Sequence, residues 1–420
     1  MTRFKNKKIL IMGLGLHGGG VGTAKFFAKQ GAEVLVTDLK TEEQLADSLQ
    51  KLRGLKIKYV LGGHKEEDFI SADLIIKNPD VPNSSPYLEI AKKHKVPVET
   101  DTTLFFKLSK AFIIGVTGTK GKSTTASLIF HILKTKSKRV FLAGNIGISP
   151  LELLPKIKRG DKIILELSSF ALESLTQSPK IAVITNIMED HLNRYASMAE
   201  YVRAKKNIFK FQTSKDILIL NKEDYYSPEF AKSAKSKIIY FSSKPGVAQN
   251  IAAASETARV LGIDEKIIQK AIKTFKGVPG RQEFVAEVKG VKYFNDTTAT
   301  MPEAVIVAIE NFCEKYPESK IILIAGGQNK GLSYLKLSDI IKEKVGDLVL
   351  LPGSASEKIK EHLAEFKKIH EVDSMCKAVK KANELAQKGD IVLLSPGAAS
   401  FNIFKNEFDR GDQFVKFVKE

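Results

Sequence analysis

The sequence predicts an α/β protein of three domains, each a mainly parallel sheet with flanking helices. Three observations carry that expectation. Strand-like apolar runs alternate with helix-length amphipathic stretches from end to end, the rhythm of βαβ units. The rhythm restarts at KILIMGLG, at AFIIGVTG and near VKYFND, and each unit has its own glycine-rich turn after a strand. The length of 420 residues also exceeds what one core ordinarily organises, so two or three domains are expected.

In the first unit KILIMGLG, AKFFAKQG and AEVLVTD read as strand, helix, strand. The second unit continues from AFIIGVTG through KIILELSS and IAVITNI, and the third passes through KIILIAGG, DLVLLPG and DIVLLSPG. The joints fall near residue 109 and near residue 277, where KGVPGRQEF has the Gly and Pro of a linker. The expected units are therefore 1–108, 109–277 and 278–420.

Composition narrows the function classes. The formal charge is +18, but the lysines are spread along the chain without basic–aromatic interleaving. A solvated surface with some phosphate-bearing ligands is expected, and no nucleic-acid partner. No run of about 18 apolar residues occurs, so no membrane span is predicted. The basic and apolar start resembles a signal peptide, but its glycines lead straight into strand, turn and helix, which points to a cytoplasmic protein. Cys313 and Cys376 lie far apart, with neither disulfide nor zinc spacing.

Gly13-x-Gly15-x-x-Gly18 follows a strand and opens a helix, with Asp38 closing the next strand. That is the dinucleotide fingerprint of a Rossmann-like unit. By itself it would favour an NAD-dependent dehydrogenase. Hydride transfer, however, has no need of the second unit's phosphate loop and metal-type carboxylate.

In that unit FIIGVTGTKGKSTTASLIFHIL sets a buried strand, a glycine turn and a helix in succession, the pattern of a P-loop ATPase. Gly118 and Gly121 let the backbone of Thr119 and Lys120 turn its N–H groups toward an anion, and the helix start adds its dipole. Lys122 can reach the β- and γ-phosphates, and Ser123, followed by Thr124, can ligate Mg²⁺. Val116 stands where the common motif has its first glycine, so the loop is a variant. Glu166 ends the apolar strand KIILELSS, where a carboxylate has little structural purpose and a metal has use for one. His191 follows IAVITNI in the acidic context Glu189–Asp190–His191.

The variant loop GVTGTKGKS resembles that of the Mur ligases and folylpolyglutamate synthetases, which join amino acids to carboxylates. AGNIG at 143–147, LELSSF at 165–170, TNIMEDHLNRY at 185–195 and MAEYVRAKKNIF at 198–209 match the same family in the same order. The resemblance implies an ATP-dependent ligase that forms an acyl phosphate and then an amide. It implies two Mg²⁺ ions, one held by Ser123 and Glu166, the other supported by His191 and by Lys205 as a carbamate. Periodicity alone makes Lys205 an ordinary exposed helix lysine beside Lys206; the spacing to Ile208–Phe209 favours Lys205 as the family's lysine. Asn250 corresponds to an asparagine near adenine, and Arg281 and Asp296 to nucleotide-binding residues. The first unit would hold UDP with Gly15, Leu16, Thr37 and Asp38, and Asn145 and His191 would contact the UDP-linked substrate. The stretch Asn78–Pro79–Asp80–Val81 has Asp80 where the family normally has glycine.

In the third unit DTTAT resembles the D-glutamate-adding group of the family, with Thr298 for its lysine and Met301 for its asparagine. IAGGQNKG and LLSPGAASFNIFKNEFDRGDQF extend the resemblance, assigning Thr300, Lys330 and Ser400 to the amino acid; Glu407 stands where an aromatic is usual, with Phe408 one place later. The implied reactants are ATP, D-glutamate and UDP-N-acetylmuramoyl-L-alanine, acted on by a monomer in peptidoglycan synthesis. A sister ligase using another amino acid or a folate-like acceptor, and a non-enzymatic binder of nucleotides or nucleic acid, stand as alternatives.

Overall fold

The computed structural model describes residues 3–15, 18–146, 148–190, 194–243, 248–329, 331–400 and 403–420. It divides into two compact units, Met1–Phe275 and Lys276–Glu420. The expected α/β fold with mainly parallel sheets is what the chain adopts.

The first unit contains two sheets. In one, β1 (Lys8–Met12), β2 (Glu33–Asp38), β3 (Ile57–Leu61), β4 (Leu74–Lys77) and β5 (Val98–Glu99) lie in the order β3-β2-β1-β4-β5. In the other, β6 (Phe112–Thr117), β7 (Val140–Gly144), β8 (Lys162–Glu166), β9 (Ile181–Ile184), β10 (Ile217–Asn221) and β11 (Lys237–Phe241) run β11-β10-β9-β6-β8-β7. The strand pairings in both are parallel. Strands of this kind are apolar on both faces because helices cover both. On one face of the second sheet, Ile114, Val116 and Ile164 pack with Leu128, Ile129 and Ile132 of the helix Lys122–Lys134. On the other, Leu165, Ala182 and Ile184 share a core with Ile208 and Phe209 of the helix Met198–Lys210. Truncating a fully buried member such as Ile164 to Ala is expected to cost roughly 2–5 kcal/mol.

The second unit has one sheet. β12 (Glu283–Val288), β13 (Val291–Asn295), β14 (Ile321–Gly326), β15 (Asp347–Leu351), β16 (Ile369–Glu371) and β17 (Ile391–Leu394) lie in the order β12-β13-β17-β14-β15-β16. Of the described pairings in this sheet, only the β12–β13 hairpin is antiparallel. Cores on both faces, around Leu323 and Ile309 on one and Ile324 and Phe414 on the other, make the unit self-sufficient in apolar burial.

Among the described residues no helix is long and apolar enough to cross a membrane.

Candidate active site

In the second sheet of the first unit, β6 lies between β8 and β9. The turn after β6 therefore has Glu166, the last residue of β8, on one side and Thr185–Asn186, just past β9, on the other. This is the crevice at strand carboxyl ends where open α/β sheets hold ligands.

The turn is held in shape by polar side chains beneath it. Thr119 N donates to Asn186 O and Lys120 N to Asn186 Oδ1, both at 2.8 Å. Asn186 Nδ2 and Thr185 Oγ1 donate to Lys120 O at 3.1 and 2.7 Å. Thr119 Oγ1 accepts from Met188 N at 2.9 Å and lies 3.1 Å from the Tyr201 hydroxyl. Gly118 has φ +150°, and a Cβ there would stand 1.9 Å from Thr185 Oγ1, so a side chain has no room. The helix Lys122–Lys134 then starts at Gly121 without a side-chain cap. Its first amides face the crevice in the arrangement that binds phosphates.

The residues expected to serve the nucleotide gather here. Lys122 folds over the turn, its Nζ donating to Thr119 O at 2.9 Å. Ser123 is buried, Thr124 half-buried and Lys120 exposed. Asn250, in the first turn of the helix Gln249–Val260, is the nearest neighbour of the space beside Gly121.

Glu166 is 2% exposed. Its Oε1 accepts from Asn145 Nδ2 at 3.3 Å, while its Oε2 is buried with no hydrogen-bond partner among the described residues. An orphaned carboxylate oxygen at a phosphate loop suits a hard cation. Among the described residues no three His, Cys, Asp or Glu groups cluster as a self-contained metal cage.

Lys205 corrects the exposed-lysine reading. It is 1% exposed, and its Nζ donates to Gly118 O at 2.7 Å and lies 4.7 Å from the Tyr201 ring centroid. Burial pushes its pKa well below the ordinary lysine value, the charge of Lys122 adds to the shift, and Asp190 opposes it. Lys206 instead turns outward to pair with Glu229 at 3.0 Å. Burial makes this amine easier to deprotonate than a surface lysine, and the free amine is the form that takes up CO₂.

In the first sheet, Asp38 holds the glycine turn itself. Its Oδ2 accepts from Leu14 N at 2.8 Å and Gly15 N at 3.2 Å, and its Oδ1 from Lys40 N at 2.9 Å. Thr37 is fully buried, donating to Gly63 O at 3.1 Å and lying 2.7 Å from His64 Nδ1. The Asp38 side chain thus shapes the glycine turn, while that of Thr37 ties β2 to the segment after β3. One cavity joins this turn to the metal-type carboxylate, with Gly15, Lys77, Asn78, Asp101, Asn145 and Glu166 in its wall. Burial lowers the Lys77 pKa to about 8, with Glu173 opposing that shift. Leu16 and His191 lie outside the described residues.

In the second unit, Asp296 follows β13 and is 4% exposed. It accepts from Ser395 Oγ at 2.7 Å and Gln282 N at 3.1 Å. Burial raises its pKa to about 7, with the charge of the neighbouring Arg281 opposing. Thr298 Oγ1 donates to Gly280 O at 2.8 Å, which turns this residue toward the backbone near Arg281. Thr300 is half-buried; Ser400 is 1% exposed, and its Oγ has no partner among the described residues. The two segments meet through Gly397 N, which donates to Ala299 O at 2.8 Å. Lys330 lies outside the described residues.

Sequence reading passed over Thr185, Asn186, Tyr201, Lys77 and Asp101. The signal for Asn186 was present: a polar pair ends the apolar run IAVITNI, the same anomaly that singled out Glu166. Tyr201 carries no such mark.

Comparison with known proteins gives three matches along the chain. Residues 7–100 match the family model described as Mur ligase MurD-like, N-terminal domain; residues 116–282 match the Mur ligase middle domain; residues 280–397 match the Mur ligase, glutamate ligase domain. A UDP-N-acetylmuramoylalanine–D-glutamate ligase of Roseiflexus sp. is 40% identical, covering 98% of each chain. One of Borreliella afzelii is also 40% identical, over 100% of this chain and 99% of its own. Among solved structures, the UDP-N-acetylmuramate–alanine ligase of Thermotoga maritima is similar with a TM-score of 0.59 at 19% identity, covering 99% of both chains. The MurF ligase of Thermotoga maritima in complex with ADP has a TM-score of 0.55 at 18% identity, covering 99% of this chain and 96% of its own.

Proposed function

From the premise that the chain belongs to the Mur ligase family, we propose that it joins D-glutamate to UDP-N-acetylmuramoyl-L-alanine, with cleavage of ATP to ADP and phosphate, in peptidoglycan synthesis. The observation that carries the chemistry is the crevice beside the turn after β6. There Lys122, Ser123, the orphaned oxygen of Glu166 and the buried amine of Lys205 surround one preset phosphate loop. The choice of D-glutamate is supported by the names of the full-length relatives and by the buried hydroxyl of Ser400, which has no partner among the described residues of the second unit.

The reaction has two steps. A carboxylate oxygen of the alanyl group attacks the γ-phosphorus, the bond from that phosphorus to the β-phosphate bridging oxygen breaks, and ADP leaves with the electron pair. The amine of D-glutamate, having lost a proton, then attacks the acyl carbon; the acyl–oxygen bond breaks and phosphate departs. The first step brings an anion to a polyanion, so charge neutralisation governs its rate. Lys122 supplies one positive charge, and the turn amides and helix start supply fixed dipoles. Ser123 and Glu166 would hold one Mg²⁺, and His191 with a carbamate on Lys205 a second; such ions neutralise phosphate charge when bound. Asn250, Arg281 and Asp296 would serve ATP, with Gly118 through Thr124 around its phosphates. Gly15, Leu16, Thr37, Asp38, Asn145 and His191 would form or shape the UDP-substrate site, and Thr300, Lys330 and Ser400 the amino-acid site. We take the chain as three domains, 1–108, 109–277 and 278–420, in a monomeric cytoplasmic enzyme without a nucleic-acid partner.

The test is ADP formation by purified protein with UDP-N-acetylmuramoyl-L-alanine, ATP and Mg²⁺, with each of D-glutamate, L-lysine and meso-diaminopimelate in turn. Turnover with D-glutamate alone is expected. Turnover with another of the three and none with D-glutamate would overturn the specificity.

A further inference from the structure

The second unit buries a guanidinium that neither reaction step uses. Arg410 lies in the helix Glu407–Lys419 and has 0% exposure. Its three hydrogen bonds among the described residues go to neutral oxygens: Nε donates to Thr297 Oγ1 at 3.1 Å, Nη2 to Thr297 O at 2.8 Å, and Nη1 to Ala398 O at 3.1 Å. Burial lowers its pKa to about 10, opposed by the charge of Glu407. Desolvating a cation against neutral acceptors is costly, and an apolar side chain would fill a core with less penalty. What the guanidinium supplies is a rigid planar fork that fixes several acceptors at set directions, which an ammonium cannot do.

The acceptors define its purpose. Thr297 lies between Asp296 and Thr298, and Ala398 lies two residues before Ser400. One fork thus spans the segment after β13 and the segment after β17, the two that bear Thr300 and Ser400. Further ties hold each segment in its place. Thr297 Oγ1 donates to Glu407 O at 2.6 Å, and Ala399 exchanges backbone hydrogen bonds with Gln328 at 2.9 and 3.0 Å. Asp296, by contrast, has its own anchors in Ser395 and Gln282. The helix can come this close because residue 411 is glycine: a Cβ there would stand 2.7 Å from Thr297 Cγ2 and 3.0 Å from Asn295 Nδ2.

We propose that Arg410 is a positioning residue for the incoming amino acid: it clamps the segment 297–300 to the segment 398–400 so that Thr300 and the Ser400 hydroxyl meet the substrate at a fixed separation. The pair Arg410–Gly411 acts together, the glycine admitting the helix and the arginine bridging the segments. The proposal rests on the amino-acid-binding reading of this unit.

Steady-state kinetics on the full-length enzyme test it, with Arg410→Lys, Gly411→Ala and a control, Val418→Ala, which trims a buried apolar residue of the same helix. Wild type is assayed first to identify the amino acid it ligates; if that is not D-glutamate, the specificity reading fails and the Arg410 measurement proceeds with the amino acid found. Arg410→Lys is expected to raise the amino-acid KM at least tenfold while the KM for the UDP-linked substrate stays within twofold. Gly411→Ala, which leaves the guanidinium in place, should raise the same KM by severalfold. Val418→Ala should lower the melting temperature and leave both KM values unchanged. An unchanged amino-acid KM in a folded Arg410→Lys enzyme overturns the proposal. So does an equal rise in Val418→Ala, since loosening of the helix would then suffice; should Arg410→Lys not fold, Gly411→Ala decides by the same criterion.

Discussion

Two adjacent lysines in one helix have opposite fates, and the difference is burial. Lys205 faces the phosphate loop from a position that is 1% exposed, while Lys206 reaches solvent and Glu229. Helical periodicity puts both near the boundary of the apolar stripe, so the sequence distinguishes them only through the family resemblance. The structural consequence is an amine whose charged form is disfavoured by burial. The folded pKa of Lys205 lies below the ordinary lysine value of 10.5, so across the window between the two the unfolded chain holds the proton more strongly. Stability therefore rises with pH through that window, and the penalty is fully present below it. Lys205→Met should raise the melting temperature of bicarbonate-free protein at neutral pH and lower ligation sharply, a trade of stability against activity. Calorimetry and ADP release check the two halves, and a melting temperature that falls would contradict the buried-amine account. Lys122→Ala is expected to cut turnover by about 10²–10³-fold or more, the range for loss of one charge-stabilising donor. Its circular dichroism spectrum should be unchanged, because the hydrogen bond from the Lys122 ammonium to Thr119 O lies in a loop and not in a strand or helix ladder.

At the scale of elements, strand ends were more legible than the loops beyond them. Glu166 stood out because a carboxylate closes an apolar strand, and one of its oxygens has no partner among the described residues. Asp38 stood out by the same rule, but the structure gives its oxygens to three backbone amides of the turns around it. The rule finds carboxylates with a purpose; it does not tell a ligand from a turn-holder, because both purposes lie at the same strand edge. Thr185 and Asn186 carry the strand-end anomaly too, but only the three-dimensional crossing of the loops reveals that they brace the turn. That bracing yields a prediction for the element. Gly118→Ala would place a methyl 1.9 Å from Thr185 Oγ1, whose own hydrogen bond holds Lys120 O. Either the turn or Thr185 must move, and both routes break the preset amide array. The variant should lose about 1–3 kcal/mol of stability and bind ADP at least tenfold more weakly by calorimetric titration. Retained ADP affinity would mean that the array is assembled by the ligand instead of being built beforehand.

The whole molecule divides at Phe275–Lys276 into units with separate cores. The joint near 109 is less marked physically, since one apolar cluster runs from Ile9 and Phe105 through to Leu165 and Phe209 across both sheets of the first unit. Separate cores predict separate unfolding transitions, because cooperativity follows shared burial. The buried Asp296 offers a way to assign them. Its pKa is about 7 in the folded unit against an ordinary aspartate value of 3.8, so the folded state holds the proton more strongly between those limits. Stability of the second unit should then fall as pH rises through that window and level off above it, by at most about 4 kcal/mol. Asp296→Asn keeps an oxygen for Gln282 N and an amide for Ser395 Oγ, but removes the titration. Scanning calorimetry at about pH 5 and about pH 8 should show the variant gaining on wild type at the higher pH, and only in one transition. Lys205→Met should shift the other. If Asp296→Asn moves both transitions together, or its advantage is the same at both pH values, then the units unfold as one or the carboxyl is already ionised at the lower pH.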